Sequence, residues 1–539
     1  MTARGNGCGA ANGKPLQARR SLSIVLVRPP GVLPFTAQNA VLEIPPIGLA
    51  YLAACLAKAG HRVRIIDAFG ERPSQLINDA DGYTINGLTA EEIVERIPRD
   101  VDLVGVTCMF SNSWLYCRRV IAQIAAAFHD VPIIVGGEHP TADYDRLLRR
   151  VPEVLCCVLG EGEETAVDIA AHLSHNLQLD TVPGIALRDA HGTVLTTAGR
   201  RRIREVDEIP WPDWDTVPLS NYLDNNICSD AYVERCMPIL ASRGCPYQCT
   251  FCSSPQMFGT QWVARSPRKV FEEIKHYYHT FGARYFEFHD LTMIIRKEWI
   301  VEFSKILIEE GLDIQWSMPS GTRSEALDGE VLAWMKRSGC RSFSYAAESG
   351  SPEELTRIKK RINLPRMLAS MRQATKLGLV TRCHLIIGLP DQTKSDVLAT
   401  LRFVTRMAWA GVNDLGCYAF SPYPGSALYQ RLVAEGRIDP EAADYDRMLA
   451  TNVCTNYKLR RSWTPHLPAW SLGWLCLGIM AYFYTLQFVF RPQRLLAVLQ
   501  SLGKSRGHTY LQRMLVKKLT FRGRPLLSPT SVVTTGDRM

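Results

Sequence analysis

Three cysteines on one short segment are the residues best suited to chemistry in this sequence. Cys245, Cys249 and Cys252 have the spacing C-x3-C-x2-C. Three thiolates on one loop can bind three irons of a [4Fe–4S] cluster, which normally takes four cysteines. Cys236 precedes the adjoining strand and Cys340 is distant, so one iron would stay open to a substrate or cofactor. Zinc sites more often show two C-x2-C pairs or added histidines, and neither occurs here.

The first half of the chain alternates short apolar runs with helical patterns. The predicted strands are Ser23–Val27, Val63–Asp67, Leu103–Thr107, Ile133–Gly136 and Val154–Leu159. The predicted helices include Ile47–Ala59, Val120–Phe128 and Thr165–Leu173. This alternation predicts an α/β fold with a doubly wound parallel sheet that has helices on both faces. Ligands of such sheets lie beyond the carboxyl ends of the strands.

Glycines and small polar residues follow these predicted strands. They form the segments Thr107–Ser113, Gly136–Pro140 and Gly160–Glu163. Glycine lets a backbone approach a ligand closely, but the same residues also suit tight strand-to-helix turns, and both interpretations stay open. No G-x-G-x-x-G motif follows the first strand, so a dinucleotide site is not predicted.

The cysteine motif, with Phe251 directly before its last cysteine, resembles the signature of radical S-adenosylmethionine (SAM) enzymes. The segments that follow it also fit, because six predicted strands alternate with helical patterns. These strands are Ile239–Arg243, Tyr285–His289, Asp313–Met318, Ser342–Ala347, Arg382–Ile387 and Asp414–Phe420. The resemblance implies a partial (β/α)6 barrel. Catalytic groups of such barrels lie at the carboxyl ends of the strands, where Cys245 stands.

Three strand ends are similar to segments that contact SAM in this superfamily. Ala347–Ser351 resembles the fourth-strand segment at the ribose and amino-acid part of SAM, and Ile386–Pro390 resembles the fifth-strand segment beside the adenine. Phe286–Asp290 resembles the second-strand end that faces the cofactor. The resemblance implies SAM contacts for Glu348, Ser349 and Gly388. Without it, the same residues are ordinary strand ends with turn residues.

A doubly wound domain before a radical SAM barrel resembles the cobalamin-binding subclass, which includes hopanoid methylases and the anaerobic magnesium-protoporphyrin ester cyclase. Pro45–Leu49, Gly136–Thr141 and Gly160–Glu163 are typical of this subclass, and the resemblance covers roughly residues 21–440. It implies a cobalamin site that contains the residues Ser111, Gly136, Gly137, His139, Gly160 and Glu161. The D-x-H-x-x-G motif, whose histidine ligates cobalt in mutases, is missing, and Asp189-Ala190-His191 is its nearest match. A domain that keeps the fold without the cofactor therefore stays open.

The C-terminal region is first apolar and then basic. Residues 462–490 contain no Lys, Arg, Asp or Glu, and from Arg491 onward there are ten basic residues and one acidic residue. A stretch of this length can span a membrane, and Trp463, Trp470 and Trp474 resemble interfacial aromatics. If this segment crossed the membrane once with the basic tail in the cytoplasm, the cluster domain would lie outside, where oxidation would destroy the cluster. Three interpretations stay open: a helix in the membrane interface, a helix buried on the barrel, and a true span.

Composition limits the remaining possibilities. The chain has 539 residues, of which 46% are hydrophobic, and its net charge of +9 equals that of the tail alone. A nucleic-acid-binding domain would spread basic residues over its surface, so no nucleic-acid partner is expected. Residues 1–20 are Gly-rich and basic without an apolar run, which argues against secretion and predicts a disordered N-terminus in a cytoplasmic protein. The remaining predicted units are the cobalamin domain (21–185), a hairpin and linker (186–230), the radical SAM core (231–455) and a helical C-terminal region (456–539).

The resemblance implies a cobalamin-dependent radical SAM methyltransferase whose cofactors are a [4Fe–4S] cluster, SAM and methylcobalamin. Such an enzyme cleaves SAM to a 5′-deoxyadenosyl radical, which takes hydrogen from an unactivated carbon that then receives a methyl group. The expected partners are a small-molecule or lipid substrate and a one-electron reductant such as flavodoxin or ferredoxin, with peripheral contact to the inner face of a membrane. Two alternatives stay open: a cyclase or carbon–carbon bond-forming enzyme on a lipid or porphyrin-like substrate, and a non-catalytic cobalamin-responsive protein.

Overall fold

The structure is a computed structural model, and it describes most of the chain. The described residues are 20–34, 44–79, 82–229, 235–323, 325–451, 458, 461–504, 509, 511–512 and 515. The expectation of a disordered N-terminus at 1–20 therefore lies almost entirely outside the described residues. The same holds for most of the basic tail.

The N-terminal domain contains a seven-stranded sheet and a small three-stranded sheet. Its strands are β1 (Ser23–Arg28), β2 (Gly31–Pro34), β3 (Arg62–Asp67), β4 (Leu76–Asn78), β5 (Tyr83–Asn86), β6 (Leu103–Thr107), β7 (Ile133–Gly136), β8 (Val154–Val158), β9 (Ile185–Arg188) and β10 (Val194–Thr196). The large sheet has the order β10-β9-β8-β7-β6-β1-β3, and the strands from β8 to β3 are parallel. The small antiparallel sheet, β2-β5-β4, was not expected from the sequence.

Helices cover both faces of the large sheet, which confirms the doubly wound prediction. They are α1 (Ile47–Lys58), α2 (Ala68–Glu71), α3 (Ala90–Arg96), α4 (Trp114–Ala127), α5 (Glu138–Arg150) and α6 (Glu163–Ser174). Side chains of a strand alternate between its two faces. Ile24 of β1 accordingly lies in the same core as Leu49 of α1, whereas its neighbour Val25 lies in the core that contains Val120 of α4.

The hairpin that the sequence analysis assigned to the linker belongs to the first sheet. Strand β9 pairs antiparallel with β8, and β10 pairs with β9 around a turn at Asp189–Gly192. The N-terminal domain therefore extends to Thr196 rather than ending at residue 185. The linker that follows contains α7 (Leu219–Asp224), whose Tyr222 hydroxyl donates a 2.6 Å hydrogen bond to Asp67 of the first domain.

The second domain is built on a six-stranded parallel sheet of order β11-β14-β15-β16-β17-β18. Its strands, with the separate pair β12 and β13, are β11 (Cys236–Ile239), β12 (Ser242–Arg243), β13 (Val263–Ala264), β14 (Tyr285–Phe288), β15 (Gln315–Thr322), β16 (Cys340–Glu348), β17 (Val380–Ile387) and β18 (Asp414–Ala419). The six predicted βα units are thus confirmed. The predicted first strand, Ile239–Arg243, is divided, because β12 leaves the sheet and pairs antiparallel with β13.

The helices of this domain and of the C-terminal region follow the predicted alternation. They are α8 (Ser254–Phe258), α9 (Pro267–Thr280), α10 (Lys297–Glu310), α11 (Gly329–Arg337), α12 (Pro352–Arg357), α13 (Leu364–Lys376), α14 (Lys394–Ala410), α15 (Ala427–Ala434), α16 (Tyr445–Thr451), α17 (Ala469–Phe490) and α18 (Pro492–Lys504). Phe288 of β14 packs edge-to-face on Phe303 of α10, so this face of the strand contacts the outer helices.

Helix α17 is the apolar C-terminal segment. Among the described helices it alone has the length and apolar composition of a membrane-crossing segment, and 33% of its most apolar stretch is buried. Leu472, Cys476, Ile479 and Phe483 form a buried stripe within the barrel core. Arg491 follows the helix and donates to the carbonyl oxygen of Ala408 at 2.9 Å, where it caps the end of α14.

Candidate active site between the two domains

The cysteine loop lies at the carboxyl end of the first barrel strand. The pair β12–β13 closes the base of the loop, and the Thr250 amide donates to the carbonyl oxygen of Ile358 at 3.0 Å. The Leu428 amide donates to Thr250 O at 2.8 Å. The loop is therefore fastened to the segment after α12 and to the first turn of α15, which hold its three cysteines at the end of the barrel.

Burial raises the pKa of all three thiols above the ordinary value. Lys360 and Arg323 act in the opposite direction on Cys245 and Cys249, because both cations lie close to these thiols. For Cys252, hydrogen bonds with Ser254 lower the pKa and so oppose the effect of burial. Iron binds the thiolate form, and metal binding displaces the proton. The two cations favour the negative charge that an iron–sulfur cluster with three thiolates carries.

Glu348 and Lys360 form a buried ion pair beside this loop. Lys360 Nζ lies 2.9 Å from Glu348 Oε1, and the Lys359 carbonyl oxygen lies 4.0 Å from Cys249 Sγ. Glu348 ends β16 with a φ of 63°, a left-handed conformation that residues other than glycine rarely adopt. Such backbone conformations occur often at functional sites. The side chain is thereby directed to a position next to the cluster loop.

Ser349 and Gly388 complete the strand ends that the sequence analysis assigned to SAM. The Ser349 hydroxyl donates to Glu354 at 2.6 Å and accepts from the Ser351 amide at 3.0 Å, so it shapes the turn after β16. Gly388 has a φ of 89°, and a Cβ there would lie 2.9 Å from the side chain of Leu472. The C-terminal helix α17 thus packs directly on the end of β17.

Asp290 follows β14 and is buried at the same edge. It accepts hydrogen bonds from the Ala241 amide at 3.1 Å and from the Ser242 hydroxyl at 2.5 Å. Burial raises its pKa to about 6, although these hydrogen bonds act to lower it. Asp290 therefore fixes the end of β11 where the chain turns into the cysteine loop.

The first domain contributes Ser111, His139 and three glycines at the carboxyl edge of its sheet. Ser111 Oγ lies 3.1 Å from His139 Nδ1, and the Trp114 ring centroid lies 5.0 Å from that of His139. Burial lowers the pKa of His139 to about 3, so the ring is neutral at physiological pH. His139 Nε2 has no hydrogen-bond partner among the described residues. A buried ring nitrogen without a partner at this edge is a ready contact for a bound ligand.

The glycines of this edge keep its backbone close-packed. Gly137 has a φ of 118°, and a Cβ there would lie 2.5 Å from the carbonyl oxygen of Cys108. Gly160 has a φ of 73° and donates its amide to Thr141 Oγ1 at 3.1 Å. Gly136 is the last residue of β7. Larger residues at Gly137 would displace the β6 end, which carries the loop to Ser111.

Glu161 is held by arginines of the linker and of the barrel. Its carboxylate lies 2.6 Å from Arg202 Nε and 3.4 Å from Arg243 Nη1, and Arg243 also reaches Glu163 at 2.6 Å. These contacts join the first domain to the base of the cysteine loop. The sequence predicted a ligand contact for Glu161, and the structure adds this role of an interdomain brace.

The carboxyl edges of the two sheets face each other. Helix α8, directly after Cys252, packs on α5 of the first domain. The Ser253 hydroxyl donates to Glu138, and the Thr141 hydroxyl lies 3.5 Å from Met257 Sδ. These contacts place the cysteine loop against the carboxyl edge of the first domain.

The donor sets fit the groups that the sequence analysis predicted. Three thiols on one loop, with the two cations near them, suit a cluster with one open iron. The Glu348–Lys360 pair offers one charge of each sign, which suits the ammonium and carboxylate of an amino acid. The neutral His139 and the glycine-rich edge suit a large ring that must approach the backbone closely.

Comparison with known proteins identifies both domains. A model of the B12 binding domain matches residues 35–170, and a model of the radical SAM superfamily matches residues 239–404. The uncharacterized methyltransferase PH0819 of Pyrococcus horikoshii is 31% identical over 423 residues, which cover 77% of this chain and 83% of the relative. Cytidylyl-2-hydroxyethylphosphonate methyltransferase of Streptomyces wedmorensis is 28% identical, over 80% of this chain and 85% of its own.

A solved structure has the same fold. The radical SAM methyltransferase TsrM from Kitasatospora setae, with tryptophan and a SAM analogue bound, superposes with a TM-score of 0.62 at 16% identity and covers 86% of this chain and 89% of its own. The chain is a cobalamin-binding radical SAM protein. It belongs to the cobalamin-dependent radical SAM methyltransferase family, with a [4Fe–4S] cluster, SAM and cobalamin as its cofactors.

Sequence reasoning missed the charged residues that support the site. Lys360 and Arg323 lie outside every motif, and only the folded chain brings them to the cluster loop. A signal existed for Lys360, because it lies in the run Lys359-Lys360-Arg361 soon after the glutamate of the fourth strand. Arg243 stands two residues before Cys245, but its ion pair with Glu163 of the first domain appears only in the fold. No local pattern marked Arg323.

Proposed function

We propose that this enzyme methylates an unactivated carbon of an apolar, membrane-partitioned substrate such as an isoprenoid or acyl chain. The observation that carries the proposal is the position of α17. This helix packs through Leu472 on Gly388 at the reacting end of the barrel, and it exposes 73% of Trp470 and 72% of Trp474 on its other side. An apolar outer surface therefore adjoins the region where the cofactors meet.

Cys245, Cys249 and Cys252 hold the cluster, and the Glu348–Lys360 pair binds the amino-acid end of SAM. When bound, the cluster supplies one electron for SAM cleavage and the cobalamin supplies the methyl group that reaches the substrate carbon. The barrel residues bury the reacting atoms and exclude water. Gly388 lets α17 pack against the end of β17, the strand that we assign to the adenine, and Ser349 shapes the turn beside the ribose.

The carboxyl edge of the first domain holds cobalamin. Gly136, Gly137 and Gly160 let the backbone lie against the corrin ring, and Ser111 orients the imidazole of His139 by hydrogen bonding to its Nδ1. His139 Nε2 then contacts the ligand as a neutral group. Glu161 fixes the distance between this edge and the cysteine loop through its ion pairs with Arg202 and Arg243.

An acidic one-electron donor such as flavodoxin or ferredoxin docks beside the cluster loop. A cavity of about 590 Å³ opens there, and its lining includes Gln248 of the loop together with Lys359 and Arg361. Both cations are exposed, and the Lys359 carbonyl oxygen lies 4.0 Å from Cys249 Sγ. Opposite charges steer such encounters, so the rate of reduction should fall with rising salt.

The apolar outer surface contacts anionic lipid at the inner face of the membrane. It consists of exposed side chains of α14, α17 and α18, namely Trp409, Trp470, Trp474, Tyr482, Val489, Leu495, Leu496 and Leu499. The chain that follows α17 carries a net charge of +9. Basic residues near an anionic surface each contribute about 1 kcal/mol to binding. The relatives do not carry this part of the proposal, because the phosphonate methyltransferase is named for a polar substrate.

The test compares lipid and metabolite extracts of cells that carry wild type, a deletion or Cys249→Ala. A species that is heavier by one methylene unit, present only with wild type, supports carbon methylation and names the substrate. S-adenosylhomocysteine should form alongside 5′-deoxyadenosine in the purified reaction. A lost ring, double bond or coupled product without S-adenosylhomocysteine contradicts methylation and favours the cyclase or coupling alternative. A soluble methylated product contradicts the lipid substrate.

Membrane contact is tested separately by sedimentation of the purified enzyme with vesicles. Binding is expected with vesicles that contain anionic lipid, and it should weaken for Trp470→Ser/Trp474→Ser. Trp211→Ser is the matched control, because Trp211 is also partly exposed but lies in the linker, stacked on His276. Equal binding by all three proteins, or none to anionic vesicles, contradicts the surface assignment.

A further inference from the structure

Two buried cysteines and a buried glutamate meet beside the first two barrel strands, next to the amino end of β11. Cys236 is the first residue of β11, Glu287 is the third residue of β14, and Cys228 lies in the segment after α7. Their sulfur and carboxylate oxygen atoms all lie within 4.8 Å of one another. The exposed fractions are 2% for Cys228, 5% for Cys236 and 1% for Glu287. Three separate segments of the chain thus bring three metal-binding side chains together.

These side chains lie on the inner side of the barrel sheet. Met237, Phe286 and Phe288 belong to the core between the sheet and the outer helices. Because successive side chains of a strand point to opposite faces, Cys236 and Glu287 lie on the other face. Cys236 is in register with Tyr285, the first residue of β14. Cys236 begins β11, whereas the cluster loop follows the carboxyl end of that strand, so the three donors are separate from the loop cysteines.

The donor set and its spacing suit a single zinc ion. Zinc binds cysteine sulfur at about 2.3 Å in tetrahedral geometry, which places two sulfurs about 3.8 Å apart. The three donor atoms lie within 4.8 Å of one another, so small side-chain shifts bring them to this separation. We propose that Cys228, Cys236 and Glu287 bind one Zn²⁺ at the floor of the barrel, with water in the fourth position.

Two neighbours hold the glutamate in a binding orientation. The Ser229 amide donates to Glu287 Oε2 at 2.9 Å, and His289 Nε2 lies 3.2 Å from the same oxygen. Outer hydrogen-bond partners of this kind fix metal ligands and tune them. The second carboxylate oxygen of Glu287 can face the metal while the first keeps these contacts. On binding, the metal displaces the protons of both thiols, and two thiolates with one carboxylate carry one negative charge more than Zn²⁺ neutralises.

The zinc fastens the linker to the barrel. Cys228 belongs to the linker that α7 anchors on the first domain, whereas Cys236 and Glu287 belong to the first two barrel strands. One ion would therefore join the segment between the domains to the barrel floor. Residues at the amino-terminal face of such barrels contribute to stability rather than to catalysis. The metal should raise the temperature of unfolding and leave the chemistry at the opposite end unchanged.

The test measures zinc and iron by mass spectrometry in the full-length protein, purified anaerobically from zinc-supplemented cells. Wild type should contain about one zinc per chain, and Cys228→Ser and Cys236→Ser should contain less than about a tenth of that. Cys417→Ser is the matched control, because Cys417 and Cys476 form another buried thiol pair for which the described residues supply no third donor. Iron and cobalamin contents equal to wild type show that a variant has folded.

A second measurement does not depend on the variants. In wild-type protein, Cys228 and Cys236 should resist alkylation until a strong chelator is added, as peptide mapping would show. Zinc-free wild type with freely alkylated thiols overturns the proposal. A disulfide between the two cysteines also overturns it, as does zinc that persists in Cys228→Ser but leaves with the loop cysteines in Cys245→Ala/Cys249→Ala/Cys252→Ala.

Discussion

The two sheet edges that face each other differ in the kind of residue they present. The barrel edge presents ionisable groups: three thiols, the Glu348–Lys360 ion pair and the buried Asp290. The edge of the first domain presents glycine backbone and the uncharged His139, and its one charged candidate, Glu161, is neutralised by Arg202 and Arg243. Both edges lie at the carboxyl ends of parallel strands. The difference lies in charge and shape rather than in position.

This difference matches the groups that each edge has to hold. A cluster and an amino acid are small and charged, so they need counter-charges, and a buried charge without a partner is costly. A corrin is large and presents extended faces, so it needs a backbone that lies close to it. Substitutions of charged groups should therefore affect the barrel edge through electrostatics, whereas substitutions in the first domain should act through steric contact.

The largest expected effect is the loss of one loop thiol. Cys249→Ala leaves two thiolates for the cluster, so iron should fall from about four per chain to a small fraction of that and SAM cleavage by at least about 10³-fold. Cobalamin content should stay at the wild-type level, since the other edge is untouched. Iron analysis and 5′-deoxyadenosine assays measure both. Cys156→Ala, a buried thiol of the first domain, is the control, and a Cys249→Ala protein that keeps iron and activity would refute the assignment.

Lys360→Met tests the ion pair of the barrel edge. It leaves the Glu348 carboxylate buried without its cation, and breaking a buried pair in this way costs about 3–5 kcal/mol of stability. We expect the dissociation constant of SAM to rise about 100-fold, as measured by anaerobic equilibrium binding. Lys359→Met, at the exposed neighbouring position, should change neither quantity much. If the double variant Lys360→Met/Glu348→Gln is no more stable than Lys360→Met, the unpaired charge of Glu348 does not cause the loss of stability.

The sequence predicted the parts of both edges that depend on local pattern. The cysteine spacing, the six barrel strands and the glycine segments of the first domain follow local patterns. The structure forms the six strands, and it places the cysteines and the glycine segments at the expected strand ends. The sequence could not predict groups that meet only through the fold. Arg323 reaches the cluster loop from the end of β15, and Cys228 meets Glu287 across the barrel floor. The hairpin was assigned to the linker because a strand pattern does not specify the sheet that it joins.

Gly137→Ala tests the steric edge. The added Cβ would lie 2.5 Å from the Cys108 carbonyl oxygen, and the φ of 118° disfavours any side chain. The end of β6 must then move, and we expect cobalamin affinity to fall about tenfold, while iron content and SAM binding stay unchanged. Absorbance of the bound cobalamin per chain measures the effect. Gly199→Ala, where a Cβ would meet open space, is the control. Equal cobalamin loss in both variants would show that the clash is not responsible.

The smallest expected effect is a pH dependence to which Asp290 of the barrel edge and His139 of the first domain contribute with opposite signs. Asp290 has a pKa raised to about 6 by burial, so in the folded protein it keeps its proton over a range where the unfolded chain has lost it. The folded state then binds more protons, so the contribution of Asp290 to stability falls as pH rises from the unfolded pKa of the carboxyl through about 6. Between about pH 5 and 7.5 the expected loss is about 1 kcal/mol.

Asp290→Asn cannot ionise, so its unfolding free energy should lack this loss, whereas the exposed Asp130→Asn should keep it. His139 has its pKa lowered to about 3 and stays neutral throughout this range. The unfolded chain protonates this histidine below about pH 6.5, so burial of the neutral ring makes stability fall as pH decreases through this range. His139→Gln should lack that loss. Denaturant unfolding of the anaerobic protein at several pH values measures all four proteins. A loss toward high pH that persists in Asp290→Asn, or a loss toward low pH that persists in His139→Gln, would contradict these assignments.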